Sequence, residues 1–175
     1  MMRWAALPRA INAGKPLPMA DLRSFLESEG MADVRTILAS GNAIFSCGAD
    51  AAVIEARLEE AAKARLSLDT TWFVRSHAEL AAIAATAPFP EAIAARPNHV
   101  QVLFYRQPLD PARMEELVAS YNGPEQVLAI GRELYVDYPE GIGRSRFSAL
   151  LTKGKLPPST GRNWSTLLKL VEATR

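Results

Sequence analysis

The order of hydrophobic and polar positions divides the first part of the chain into strand and helix predictions. Residues 3–8 predict a strand. After a proline-containing link, apolar residues recur at helical spacing and predict an amphipathic helix over residues 19–29. Gly30 follows it and favours the left-handed conformation that ends many helices. The chain therefore opens with a strand and a helix.

Two further strands, residues 34–39 and 43–46, flank a short polar turn. Gly and Asn tolerate the positive φ that tight hairpins require, so the turn residues Ser40, Gly41 and Asn42 predict a hairpin.

A second helix is expected to begin after Asp50, whose side chain suits the N-cap position. Ile54 and Leu58 share one face of that helix, and charged residues occupy the other. Residues 70–75 then predict a strand. The first half therefore has a β-α-β-β-α-β order.

The same order of elements begins again in the second half. After a helix over residues 78–87 and a proline-containing link, the pattern predicts a strand, a helix, a hairpin turned at Gly131 and Arg132, and two closing helices: residues 99–105, 111–121, 126–130, 133–138, 145–151 and 163–173. This is a second β-α-β-β-α order, although no repeat is visible residue by residue.

A β-α-β-β-α-β order is typical of a ferredoxin-like unit, in which helices cover one face of an antiparallel sheet. We therefore predict an α+β fold with two ferredoxin-like subdomains, residues 1–76 and 77–175, packed together as one unit. The extra helices at the C-terminus belong to the second subdomain.

Composition indicates a soluble protein. The 175 residues are 49% hydrophobic, enough for a substantial core, and no apolar run is long enough to cross a bilayer. Pro8 and Arg9 come too early for a signal-peptide core. A lone Cys47 suits a reducing compartment, and its simplest interpretation is a small half-buried thiol. These features predict a cytoplasmic protein with no membrane partner.

Charge is distributed unevenly along the chain. Residues 1–140 carry 13 Lys/Arg and 18 Asp/Glu, whereas residues 141–175 carry 7 and 1. The basic C-terminal segment suggests an anionic partner. Alternatively, its cations balance the charge of acidic groups elsewhere on the same chain.

The stretch YPEGIGRSRF, residues 138–147, predicts an anion-binding turn between a strand and a helix. Gly141 and Gly143 suit a backbone that points successive N–H groups into a concavity, next to a helix N-terminus. Arg144 can bond two oxygens of a phosphate or carboxylate, with Ser145 beside it. The spacing fits neither a P-loop nor a dinucleotide fingerprint, and a purely structural loop is the alternative.

A similar arrangement occurs near the C-terminus, where Arg162 and Asn163 precede a helix. Asn163 suits the N-cap, which explains it without a ligand. Arg162 opposes the helix dipole unless an anion or a carboxylate compensates it. Trp164 falls on the apolar face and is expected in the core.

The first two loops also offer polar side chains. Strands one and two of a split β-α-β unit run parallel, so their ends meet at one sheet edge and bring Arg9 and Asn12 near Ser40 and Asn42. Ordinary turn chemistry, with Asn and Ser bonding their own backbone, is the alternative.

Features of a catalytic or metal site are scarce. His77 and His99 are the two histidines, and neither has metal-ligand spacing or a partner acid or Cys. Paired acids such as Glu59 and Glu60 fall on solvated helix faces. The sequence therefore predicts no cofactor and no metal, and it leaves enzymatic activity open.

Four stretches together, LPRAINAG, ILASGNAIFS, YPEGIGRSRF and GRNWSTLLKL, resemble the signature of the family called domain of unknown function 1697 (DUF1697). The resemblance spans nearly the whole chain and implies two ferredoxin-like subdomains with no established activity. It marks the motif positions Arg9, Asn12, Ser40, Gly41, Asn42, Gly141, Gly143, Arg144, Ser145, Arg162, Asn163 and Trp164. Pro8 and Ala10 depart from the family pattern in the first loop.

We therefore expect a small anionic ligand, with a phosphate or carboxylate group, in a cleft lined by Arg9, Arg144 and Arg162. One alternative is a nucleic-acid-binding module, which the basic C-terminal segment favours and the near-neutral overall charge opposes. Its strands also lack the aromatic platform of RNA-binding sheets. The other alternative is a structural or interaction protein without a ligand. The sequence does not determine the oligomeric state.

Overall fold

The structure is a computed structural model that describes residues 1–9, 17–37 and 41–175. Its first sheet contains four antiparallel strands in the order β2-β3-β1-β4: β1 (Met2–Pro8), β2 (Ala32–Ile37), β3 (Asn42–Cys47) and β4 (Trp72–Ser76). The second and fourth strands lie at the two edges. This arrangement matches the predicted β-α-β-β-α-β order.

Helices α1 (Met19–Ser28), α2 (Ala51–Leu66) and α3 (His77–Thr86) accompany this sheet. The core packs Phe25 and Leu58 against Trp4, Phe45 and Trp72 of the strands. Burial of several aromatic rings makes this cluster a large hydrophobic contribution to stability.

Helix α1 ends as the sequence indicates. Gly30 has φ +85°, and its N–H donates to Glu27 O while the N–H of Met31 donates to Leu26 O. These two hydrogen bonds form a Schellman motif, which needs a residue that tolerates positive φ.

The second sheet repeats the arrangement in the order β6-β7-β5-β8. Its four antiparallel strands are β5 (Val100–Phe104), β6 (Gln126–Ile130), β7 (Glu133–Asp137) and β8 (Thr160–Asn163). The helices in this part of the chain are α4 (Pro90–Ala95), α5 (Pro111–Ala119), α6 (Phe147–Lys153) and α7 (Trp164–Ala173). Leu117, Leu134, Val136 and Phe147 belong to its core.

The fold class is thus confirmed: the protein is α+β, with two four-stranded antiparallel sheets. The chain divides into two units, residues 1–82 with 169–175, and residues 83–168. The subdomain bounds predicted from the sequence, residues 1–76 and 77–175, stay a prediction.

Several elements differ from the sequence prediction. The proline-containing link holds α4, and the chain forms strand β8 where only a helix start was expected. Asp50 occupies the N-cap of α2 with extended backbone angles, but its side chain makes no capping hydrogen bond. The helix predicted over residues 145–151 begins at Phe147, after a 3-10 turn over Ile142–Arg144.

The central strands are buried on both faces. On the sheet face opposite the helices, Leu7, Phe73, Val102 and Phe104 are all 0% exposed, and Tyr135 is 1% exposed. Bare aromatic platforms of the kind that RNA-binding sheets present are therefore missing from the central strands that the structure describes. Among the described helices, none combines the length and apolarity needed for a membrane span.

Candidate functional site

The glycine turn follows β7 and leads to α6. Gly141 has φ +85° and ψ 152°, a region that only glycine adopts readily. Three N–H groups donate inside the turn, each to a carbonyl three residues earlier: Gly141 to Tyr138 at 2.9 Å, Arg144 to Gly141 at 3.3 Å and Ser145 to Ile142 at 3.2 Å. The turn is thus held by its own backbone.

Two N–H groups of this turn remain available. No hydrogen bond within the described part of the chain engages the N–H of Ile142 or Gly143. A Cβ built on Gly143 meets no atom within 4 Å, so the space beside the turn is open. Adjacent free N–H groups of this kind can bind an anion.

Arg144 lies at the end of the same turn and is exposed. Its guanidinium forms no ion pair or hydrogen bond with any residue in 1–9, 17–37 or 41–175. A free, always-charged fork donor next to free N–H groups can bond two oxygens of one anion.

Ser145 has a different role. Its hydroxyl donates to Glu125 Oε1 at 2.5 Å and accepts from the N–H of Phe147 at 3.0 Å, at the start of α6. The hydroxyl of Tyr121 donates to Glu125 Oε2 at 2.7 Å. Glu125, just before β6, therefore joins the loop that follows α5 to the glycine turn.

These contacts change the ionisation of Glu125. Burial by itself raises the pKa of the carboxyl, but the hydrogen bonds from Ser145 and Tyr121 outweigh it and the net pKa is lowered. The same surroundings raise the pKa of Tyr121, through burial first and then through its bond to Glu125. Glu125 is consequently an anion at neutral pH, and it uses both oxygens to hold the turn.

Arg162 lies on β8 opposite Val102 of β5 and is 7% exposed. Its Nη1 donates to Thr160 Oγ1 at 2.6 Å and to the carbonyl of Gly161 at 2.9 Å. Burial lowers the pKa of this guanidinium to about 10. Arg162 is thus a buried, hydrogen-bonded cation, unlike the exposed Arg144.

Asn163 is the N-cap of α7, as the sequence indicates. Its Oδ1 accepts from the N–H of Thr166 at 2.9 Å. Trp164 is 3% exposed, which agrees with the predicted core position.

Of the site residues predicted in the first two loops, only some belong to the described part of the chain. Asn12 and Ser40 lie outside the described residues. Asn42 is fully buried, and its side-chain amide donates to the carbonyl of Ile37 at 2.9 Å across the β2–β3 hairpin. This bond is the local turn chemistry that was the alternative for Asn42. Arg9 is exposed and directly follows β1.

Arg9 lines a cavity of about 690 Å³ in the first unit. The charged residues around it are Arg9, Lys63, Glu59, Glu60 and Asp69. Because carboxylates outnumber cations there, this cavity does not favour a purely anionic ligand.

No group of three or more His, Cys, Asp or Glu side chains in the described ranges is arranged to hold a metal. His77 Nδ1 lies 3.1 Å from the carbonyl of Val171 and 3.1 Å from Thr174 Oγ1, so it serves the end of α7. Both contacts join the start of α3 to the C-terminal end of α7.

Sequence reasoning missed the polar network around Glu125 and the ion pair between Arg96 and Asp137. Tyr121 and Glu125 are four residues apart just before a strand, a weak signal that a loop is fastened there. Arg96 and Asp137 carry no such signal, because their pairing depends on the assembled sheet.

Comparison with known proteins gives a family and a fold. A family model described as "Protein of unknown function (DUF1697)" matches residues 1–135. Among solved structures, the chain is similar to "conserved bacterial protein SP0830 from Streptococcus pneumoniae", with 23% identity, a TM-score of 0.77 and 99% of each chain covered. The curated proteins contain no match. At this identity, the structural likeness shows the fold alone.

Proposed function

The chain belongs to the DUF1697 family, whose description assigns no activity, and on that premise we propose that it binds a small anionic ligand at the glycine turn between β7 and α6. One observation carries the proposal. The exposed guanidinium of Arg144 has no partner among the described residues, and Arg144 directly follows Ile142 and Gly143, whose N–H groups have no partner among those residues either.

The ligand class follows from these donors. Three consecutive residues contribute two backbone N–H groups and a planar guanidinium, a set of donors that suits the oxygens of a phosphate or a carboxylate. Gly143 leaves room for the ligand because nothing lies within 4 Å of its missing Cβ. Ser145 and Asn163, whose side chains are engaged in the protein, then support the structure instead of contacting the ligand.

Thermal unfolding in the presence of inorganic phosphate and of citrate tests the proposal. A ligand at 100 times its Kd adds about 2.7 kcal/mol to the free energy of unfolding. We expect both anions to stabilise the wild type and the Lys169→Ala variant, which removes an exposed cation in α7. The Arg144→Ala variant should lose most of that stabilisation.

Two results would contradict the proposal. In the first, Arg144→Ala is stabilised as much as the wild type, which places any anion elsewhere. In the second, neither anion stabilises the wild type more than chloride does at equal ionic strength, which leaves only screening by salt.

A nucleic-acid ligand is the second candidate, because residues 144–155 carry four exposed cations: Arg144, Arg146, Lys153 and Lys155. If these residues contact phosphates, binding of a generic oligonucleotide should weaken steeply with salt, by about 0.9 in the log–log slope for each contact. Binding of phosphate without oligonucleotide binding at low salt would favour the small ligand.

A further inference from the structure

Strand β6 forms one edge of the second sheet and is paired on one side with β7. Its five residues, QVLAI, contain no charge, no proline and no glycine. Leu128 is 39% exposed and Ile130 is 46% exposed. An uncharged edge with exposed apolar side chains is a template for another strand.

The corresponding edge of the first sheet is protected. Strand β2 carries the exposed charges Asp33 and Arg35, and its pairing with β3 shifts register between Ala32 and Arg35. Asp33 also has φ +51°. Charges and bulges of this kind discourage pairing of an edge with another chain. Strand β6 lacks both protections, since it carries no charge and its pairing with β7 has no register shift.

The direction of the free backbone groups follows from the hairpin. Ile130 pairs with Glu133 across a two-residue turn at Gly131, which has φ +58°. The two residues that flank such a turn form a hydrogen-bonded pair, so Ile130 and Leu128 point their N–H and C=O groups toward β7. Because alternate residues of an antiparallel strand point these groups in opposite directions, those of Val127 and Ala129 point away from β7. No hydrogen bond within the described residues engages them.

We propose that β6 pairs antiparallel with β6 of a second copy of this chain, with Leu128 on the two-fold axis. In this register, Val127 of each copy exchanges both backbone hydrogen bonds with Ala129 of the other copy. Leu128 faces Leu128 of the second copy, and Ile130 faces its Gln126. The second sheet of one copy and the second sheet of the other copy then form one continuous sheet.

Self-pairing fits this strand better than pairing with an unrelated charged segment. An uncharged strand has no like charges to repel when it meets an identical copy. The strand is flanked by Glu125 on one side and Arg132 on the other, both half-buried. In the proposed register, Glu125 of each copy faces Gly131 of the other copy, one residue from Arg132, so residues of opposite charge and not of like charge come close at both ends.

Engineered cysteines test the register. Leu128→Cys places two thiols in a facing pair without hydrogen bonds, with Cα atoms about 4.5 Å apart, within the range of a disulfide. Ile130→Cys exposes a similar thiol, but the two copies of that position lie four residues apart along the strands, roughly 13 Å. The native Cys47 is 8% exposed, and the wild type serves as the background control.

Under mild oxidation we expect a disulfide-linked dimer from Leu128→Cys and little from Ile130→Cys or the wild type. A mixture of Gln126→Cys and Ile130→Cys chains should form the mixed dimer. Equal cross-linking of Leu128→Cys and Ile130→Cys would overturn the proposed register.

Sedimentation equilibrium of the unmodified chain tests the association itself. The wild type should show a concentration-dependent dimer, and Leu128→Lys should shift it to monomer because two ammonium groups would face each other. Val53→Lys is the matched control, since Val53 is an exposed apolar residue (56%) on α2. A wild type that stays monomeric at millimolar concentration overturns the proposal. So does a Leu128→Lys chain that dimerises as strongly as Val53→Lys.

Discussion

Arg96 holds the carboxylate of Asp137 with two hydrogen bonds, from Nε to Oδ1 at 3.2 Å and from Nη2 to Oδ2 at 2.6 Å. The Asp137 side chain is 2% exposed, and the hydrogen bond to it raises the pKa of Arg96. Asp137 is the last residue of β7 and directly precedes the glycine turn. The pair therefore holds in place the end of β7, the strand that leads into the glycine turn of the candidate site.

We predict that Arg96→Ala lowers the urea midpoint of unfolding, because it leaves a buried carboxylate without two charged donors. Arg96→Lys keeps the charge but not the planar fork, so its midpoint should fall between those of Arg96→Ala and the wild type. Arg23→Ala, which removes an exposed pair with Glu27, is the control and should cost less than about 0.5 kcal/mol. Equal effects of Arg96→Ala and Arg23→Ala would show that the Asp137 pair adds nothing.

Glu125 should make the second unit sensitive to acid. The folded-state pKa of this carboxyl lies below its ordinary value of 4.5. A group with a depressed folded pKa stabilises the protein above its unfolded pKa, and that stabilisation is lost as the pH falls through the folded pKa.

The expected result is that Glu125→Gln is less stable than the wild type at neutral pH and that the gap narrows below about pH 4.5. Urea unfolding at several pH values between about 7 and 3 measures it. Glu140→Gln changes an exposed carboxyl nearby and should follow the wild type. A gap between Glu125→Gln and the wild type that is constant with pH would refute a titrating role for Glu125.

The N-cap of α7 offers a direct measurement. Asn163→Ala removes the acceptor for the N–H of Thr166 and should lower the free energy of unfolding by about 1 kcal/mol. Asn163→Asp keeps an acceptor and adds a favourable charge at the helix start, so it should be close to the wild type. If Asn163→Ala instead weakens phosphate binding without a loss of stability, the side chain contacts the ligand.

Local signals predicted most of the fold because they act over a few residues. The helix stop at Gly30 and the cap at Asn163 depend on φ preference and side-chain reach, which the sequence carries directly. The β6–β7 hairpin follows from alternation around Gly131.

Strand β8 and helix α4 were missed for physical reasons. The β8 sequence TGRN has two residues that disfavour strands, and it is extended because it pairs with β5. Prolines at positions 88, 90 and 97 suggested a link, yet proline is well tolerated in the first turn of a helix such as α4. Because β8 was not predicted, Arg162 was expected at a helix N-terminus, whereas it lies in a strand and is buried.

The buried position of Arg162 gives a prediction at alkaline pH. Burial has lowered its pKa to about 10. The ammonium of an Arg162→Lys variant starts from a pKa of about 10.4, and the same loss of solvation lowers it below that value. At pH values between the folded-state and the unfolded-state pKa of this lysine, the unfolded state binds more protons than the folded state, so the free energy of unfolding rises with pH.

We therefore expect Arg162→Lys to gain stability as the pH is raised from about 7 to about 10, relative to the wild type, which keeps its charge over most of that range. Denaturant unfolding at several pH values measures the difference. Parallel pH profiles of the two proteins would mean that the residue 162 site does not penalise a charge.

The two glycines of the candidate turn differ in what they require, which separates backbone strain from ligand binding. Gly141 has φ +85° and ψ 152°, so Gly141→Ala forces a side chain into a region essentially reserved for glycine, at a cost of about 1–3 kcal/mol.

The backbone of Gly143 has no positive φ, and a Cβ there meets no atom within 4 Å. Gly143→Ala should therefore leave stability nearly unchanged. Its methyl group would nevertheless stand where the proposed anion approaches the N–H groups, so phosphate stabilisation should fall. Thermal unfolding with and without phosphate checks both effects. A Gly143→Ala variant with unaltered phosphate stabilisation would argue that the anion does not reach this turn.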